Sequence, residues 1–223
     1  MAFEYAFDLS GCTFPVIKEF PIAASTAVSL GEVVALSAGK VAEVDADQDD
    51  PVLGVAAENH DGTTSGRQSG TAIKVYCSPT AVFKVKAPEV VADSGNTTTL
   101  VDASYGTPSN DAFNGGFLKL VSRGTGSTLS LNPGDIVEIT DFATSTGTFT
   151  GTFTGGTTAG DTYKLFPPVG SYTWDLNAAA TNIDLNTGGG FAMQVVGVDL
   201  ENDWIYFKFR LHQLGSHPYT DTN

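Results

Sequence analysis

The chain has 223 residues, enough for one large β-domain or two small ones that each bury a core. Its residues are 41% hydrophobic, which marks it as globular, and 11 Lys and Arg stand against 25 Asp and Glu, giving a formal net charge of -14. Such a field repels phosphate backbones and anionic lipid, so it argues against nucleic-acid binding and electrostatic membrane binding and serves solubility.

Residues 1–27 predict an extended N-terminal arm. Phe3, Tyr5, Phe7 and Leu9 alternate with Glu4, Ala6 and Asp8 at the period of a strand; Phe14, Val16, Ile17, Phe20 and Ile22 follow, broken by Pro15 and Pro21. A strand with four apolar positions on one side must bury them, in the protein's own sheet or on a partner. The start MAFEYAFDLSGC lacks the basic and apolar regions of a signal peptide and is expected to be a mature start. Cys12 and Cys77, the two cysteines, allow one bridge or two buried thiols but no metal knuckle.

Residues 28–90 predict a first β-unit of short strands separated by turn chemistry at Ser37 to Lys40, Asp45 to Pro51 and Asn59 to Gly70. In Ala72 to Ala87, Ile73, Val75 and Cys77 share one face, and Phe83, Val85 and Ala87 share another, as in half-buried antiparallel sheet. Residues 91–223 predict a second β-unit. Its polar start carries the Asn114-Gly115 turn signal before the strand Phe117 to Val121, and an insertion rich in Thr, Gly and Phe occupies about residues 143–190. There the repeat GTFT places Phe149 and Phe153 among Thr and Gly, suggesting thin strands or a protruding ribbon. The last strand, Trp204 to Leu211, turns Ile205, Phe207, Phe209 and Leu211 inward. No window keeps a helical period, and at most a turn near Ala178 to Ala180 interrupts an all-β chain of small antiparallel barrel or sandwich units.

An internal duplication is suggested by two pairs of strings. SLGEVVAL at Ser29 to Leu36 parallels NPGDIVEI at Asn132 to Ile139, and VLGVAAE at Val52 to Glu58 parallels VVGVDLE at Val195 to Glu201. None of the repeated residues is a good catalyst, so the repeat speaks for scaffold.

Residues able to do chemistry are sparse. His60, His212 and His217 lie in or beside polar turns and read as exposed loop histidines, with no nucleophile elbow and no paired-histidine motif. Asp45, Asp47, Asp49 and Asp50 could offer oxygens to a hard cation, but the sixth position lacks the EF-hand glycine and the twelfth is Ala56, so an acidic β-turn is expected. Gly188 to Gly190 lacks the strand-to-helix setting of a phosphate loop, and the sequon at Asn96 and Thr98 carries little weight without an export signal. No catalytic, cofactor-binding or metal residue is assigned, and the chain is expected not to be an enzyme.

From Gly31 to His60, GEVVALSAGKVAEVDADQDDPVLGVAAENH, and on through the strand Thr71 to Ser78, the chain resembles head decoration proteins of tailed bacteriophages, the capsid cement proteins. The shared layout is a strand after a Gly-acidic turn, a short hairpin, a polar turn, a V-x-G-V-A strand and a basic alternating strand. The resemblance implies a β-barrel-like, cofactor-free protein that binds the major capsid protein on the outside of an assembled shell, commonly as a homotrimer. It implies a place on the outer capsid surface of the virion after synthesis in the host cytoplasm. The greater length, the aromatic start and the second unit depart from that pattern and leave open an exposed head fibre.

An extended aromatic arm is an efficient way to add contact area, so Phe3, Tyr5, Phe7 and Phe14 are the expected capsid or partner interface. The competing reading is a host-surface or carbohydrate module with Tyr172, Trp174 and Trp204 as stacking residues. A hydrolase built from scattered carboxylates ranks last because no motif supports it.

Overall fold

The computed structural model describes residues 2–11, 14–23, 25–44, 52–62, 72–171, 175–176, 183–185, 193–209 and 213–214. The chain divides into two compact units, one of Met1–Lys84, Leu176–Ile183 and Lys208–Asn223, the other of Val85–Asp175 and Asp184–Phe207. Both are built from β-strands, and two single 3-10 turns, Ala103–Tyr105 and Thr144–Thr146, are the only helical pieces among the described residues.

The first unit contains β1 (Glu4–Asp8), β2 (Ile17–Pro21), β3 (Ala27–Val28), β4 (Val33–Ser37), β5 (Lys40–Glu43), β6 (Gly54–Ala56), β7 (His60–Asp61), β8 (Ala72–Tyr76) and most of β9 (Ala81–Lys86). Five of these form one sheet in the order β2-β8-β6-β4-β5, and a parallel bridge from Ile22 to Val41 joins its two ends. The sheet therefore closes into a five-stranded barrel. Ile22, Val34, Val41, Leu53, Ala56, Ile73, Val75 and Cys77 fill it, as the period of two along each strand requires. The β4–β5 hairpin turns on Ala38 and Gly39, both at positive φ, the geometry that suits the twist of paired strands. Gly54, at φ +152°, lies so close to the Tyr76 carbonyl that a Cβ would overlap it. The glycine of the V-x-G-V-A strand thus permits β6 to pack against β8.

Residues 1–27 are not a separate arm. β1 pairs antiparallel with β9, Tyr5 opposite Phe83 and Asp8 opposite Ala81, while β2 is a wall of the barrel paired with β8. The first part of this apolar face, Phe3 and Tyr5, thus packs within its own unit, while the register shifts between Tyr5 and Phe7.

The second unit contains β10 (Glu89–Val91), β11 (Ser94–Gly95), β12 (Thr99–Val101), β13 (Phe117–Ser122), β14 (Ile136–Glu138), β15 (Asp141–Ala143), β16 (Thr148–Thr150), β17 (Thr162–Phe166), β20 (Met193–Asp199) and most of β21 (Trp204–Phe209); the short pair β18 (Asp175–Leu176) and β19 (Ile183–Asp184) lies at the division between units. Two four-stranded sheets run β10-β17-β13-β14 and β11-β12-β16-β15. Their edges are continuous in the chain. Ala92 donates to the Asp161 carbonyl and Asp93 to that of Val101, carrying β10 into β11. Ile139 donates to Gly116 and Thr140 to Thr150, carrying β14 into β15. Strands that switch sheets at both corners make a closed six-stranded antiparallel barrel.

In the described part of the Thr/Gly/Phe segment, β16 and β17 are short wall strands of this barrel, as the thin-strand alternative has it, and residues 148–166 are not a protruding ribbon. In β16, alternation sends Phe149 into a cluster with Phe142 and Phe113 at ring separations of 4.9 and 5.2 Å, and leaves Thr148 and Thr150 on the half-buried face. Phe153 is buried against Tyr163. Thr and Gly are therefore the outer and turn positions of a strand whose aromatic positions face the core. In β21, Ile205, Phe207 and Phe209 are buried as their spacing predicts.

The suggested duplication resolves into one shared turn. Glu32 N–H donates to Ser29 O and the Glu32 carboxylate accepts from Ser29 N–H at 2.8 Å; Asp135 N–H donates to Asn132 O and its carboxylate accepts from Asn132 N–H at 2.7 Å. Gly31 at φ +80° and Gly134 at φ +99° occupy the third position, which in such turns favours glycine. Each turn then clasps a neighbouring strand twice. Gly31 N–H donates to Ala56 O and Ala56 N–H to Glu32 O; Gly134 N–H donates to Leu120 O and Leu120 N–H to Asp135 O. The second pair of strings has no such correspondence. Val52 to Glu58 contains β6, between β4 and β8, whereas Val195 to Glu201 takes in only the later part of β20, which neighbours β21.

Candidate binding surface

The four expected anchors separate into two pairs. Phe3 is 3% exposed and meets Phe209 edge to face at 6.4 Å. Tyr5 stacks on Tyr76 at 5.5 Å and meets Phe83 edge-on at 6.2 Å. Both serve the interior of their own unit, so in this state Phe3 offers no surface to a partner and Tyr5 offers little. Phe7 is 45% exposed and Phe14 80% exposed. Leu9 and Ile17, which the aromatic pattern had not singled out, are exposed as well. The outward apolar set is therefore Phe7, Leu9, Phe14 and Ile17, all on β1, the start of β2 and the segment between them.

Asp8 fixes the base of this segment. Its Oδ1 accepts from Ser10 N–H at 2.8 Å, Ser10 Oγ at 2.6 Å and Thr80 Oγ1 at 2.6 Å, while Leu9 N–H donates to Thr80 O. Burial pushes the Asp8 pKa up, but hydrogen bonds from Ser10, Ser78 and Thr80 outweigh it and hold the pKa at about 2. The ionised carboxylate thus ties the end of β1 to the turn before β9. Glu32 is the opposite case: burial raises its pKa, Ser29 N–H opposes the rise, and nearby Glu43 adds to it.

The other singled-out residues have structural settings. His60 is not an exposed loop histidine but a buried one, with Nδ1 2.6 Å from the Thr26 carbonyl across the β3–β7 pair, where Nδ1 must be the donor. Cys77 is a buried free thiol. Lys86 Nζ sits 3.7 Å from the centre of the Trp204 ring and also donates to Asn202 O, so one face of that indole is covered by a cation. Asn96 Oδ1 accepts from Thr98 N–H, Thr98 Oγ1 and Thr99 N–H, which makes the sequon a hairpin turn. Asp45 to Asp50, Tyr172, Trp174, Ala178 to Ala180, Gly188 to Gly190, His212, His217 and Cys12 lie outside the described residues. Among the described residues, no group of three or more His, Cys, Asp or Glu is placed to hold a metal ion.

No protein-family model matches the chain, and no curated protein or solved structure matches it.

Proposed function

We propose that the chain is a non-enzymatic structural protein of a virus particle, which binds the major capsid protein on the outer surface of the shell and stabilises it. The single observation that carries this reading is the exposed apolar set Phe7, Leu9, Phe14 and Ile17, which runs from β1, paired with β9, to β2, a wall of the closed barrel. A barrel with no open edge gives a rigid mount, and a fully buried Phe or Leu contributes about 1.5–3 kcal/mol when it leaves water. The parts that resemble cement proteins, Gly31 to His60 and Thr71 to Ser78, supply the Gly-acidic turn and four of the five strands of that barrel. A homotrimer on the shell belongs to the same proposal. The covered face of Trp204 weighs against sugar stacking there.

The test is cosedimentation with expanded, decoration-free phage shells, comparing the intact chain with Phe14→Ser. Saturable binding in fixed ratio to the capsid subunit is expected, weakened at least about tenfold by Phe14→Ser, which removes an exposed side chain and leaves the barrel core untouched. Absence of binding to expanded shells, or binding indifferent to Phe14, would overturn the reading.

A further inference from the structure

The shared Gly-acidic turn is covered in one unit and open in the other. In the first unit the chain's own N-terminus lies over it: Phe3 N–H donates to the Gly31 carbonyl at 3.2 Å, and a Cβ on Gly31 would meet Ala2 Cβ at 2.5 Å and the Phe3 carbonyl at 2.7 Å. Gly31, Glu32 and Val33 are all buried. At the matching positions of the second unit, Gly134, Asp135 and Ile136 are all exposed, and a Cβ on Gly134 would meet nothing within 4 Å. Val33 is 0% exposed where Ile136 is 46% exposed. Val121, which follows the clasped Leu120 in the chain, is exposed too.

Charge defines what would fit this open position. The second unit carries thirteen Asp and Glu against four Lys and Arg. All four cations are engaged within the unit. Lys86 lies on Asn202 O and Trp204, Lys119 on Asp203 and Leu200 O, Arg123 on Leu131 O and Asn132, and Lys164 on Glu89. Asp135, Glu138 and Asp141 are exposed along the turn and the two strands that follow it.

We propose that the Asn132–Asp135 turn and the start of β14 form a docking seat for an extended partner segment that presents one apolar side chain flanked by lysine or arginine. The incoming backbone donates to the Gly134 carbonyl as Phe3 does to Gly31, the apolar side chain covers Ile136 and Val121, and the cations face Asp135 and Glu138. This seat is independent of the exposed set on the N-terminal segment.

The probe is a fluorescent peptide of residues 1–8 of this chain carrying Glu4→Lys and Asp8→Lys, titrated into the intact protein with backbone amide shifts recorded in parallel. Saturable binding is expected, with shifts at Gly134, Asp135 and Ile136. Ile136→Asp should weaken it at least about tenfold while Ile136→Val retains it, and the peptide with its native Glu4 and Asp8 should bind at least about threefold more weakly. Lack of saturable binding, shifts confined to Gly31, or binding undiminished by Ile136→Asp would each overturn the proposal. Equal binding of the native-charge peptide would overturn it too, because the occupant would then be a second copy of this chain.

Discussion

The turns at Ser29–Glu32 and Asn132–Asp135 make the same hydrogen bonds in different surroundings. One is roofed by the chain's own N-terminus and buries its acid; the other leaves glycine, acid and the following aliphatic residue in water. Local sequence dictates the turn, because a glycine at the third position and an acid that reaches back to the first residue suffice to close it. What lies over the turn is decided by residues far away, and that decides whether it is framework or surface.

The largest effect in either barrel is expected at Gly54. Gly54→Val drives a branched side chain into the Tyr76 carbonyl and should cost more than about 4 kcal/mol, breaking the barrel that bears the roofed turn. Denaturant unfolding checks it, and a loss below about 1 kcal/mol would show that β6 can move away from β8. In the barrel that bears the open turn, Phe149→Ala should cost about 3–5 kcal/mol, since Phe142 and Phe113 lose a shared neighbour.

Acid titration separates the two carboxylates of the first unit. Asp8 has a folded pKa depressed from 3.8 to about 2, so its stabilising contribution is present in full above about pH 4 and is lost as pH falls through about 2. Asp8→Asn should remove that acid dependence, read from urea midpoints across the range. Glu32 has a raised pKa, so its ionisation opposes folding and stability falls as pH rises through its titration; Glu32→Gln should flatten that limb. The smallest effect is expected at the open turn, where Asp135→Ala removes one exposed back-bond and should cost about 1 kcal/mol or less.

Much of the fold was legible in the sequence because it rests on the period of two. Ile73, Val75 and Cys77, and Ile205, Phe207 and Phe209, are buried where alternation puts them. Phe149 and Phe153 were harder to place. Isolated between Thr and Gly they resemble a ribbon, and only closure of the second barrel gives each an interior side. The anchors were half legible: alternation marks Phe3, Tyr5 and Phe7 alike, but it cannot tell an own-sheet contact from a surface, and the partners Phe209 and Tyr76 are distant in sequence. The burial of His60 is hidden in the same way, because the Thr26 carbonyl that holds it lies 34 residues away. Leu9 shares the alternation of Phe3, Tyr5 and Phe7 without being aromatic, and Ile17 carries no signal beyond being apolar.

The difference between the two turns is tested most directly by the same substitution at both glycines, measured by urea unfolding. Gly134→Ala should cost only the strain of positive φ, about 1–2 kcal/mol, because its new methyl group meets open space. Gly31→Ala should cost at least about 2 kcal/mol more, because its methyl group collides with Ala2 and with the Phe3 backbone. Equal costs at the two positions would contradict the account, since they would mean that the N-terminus does not roof the first turn.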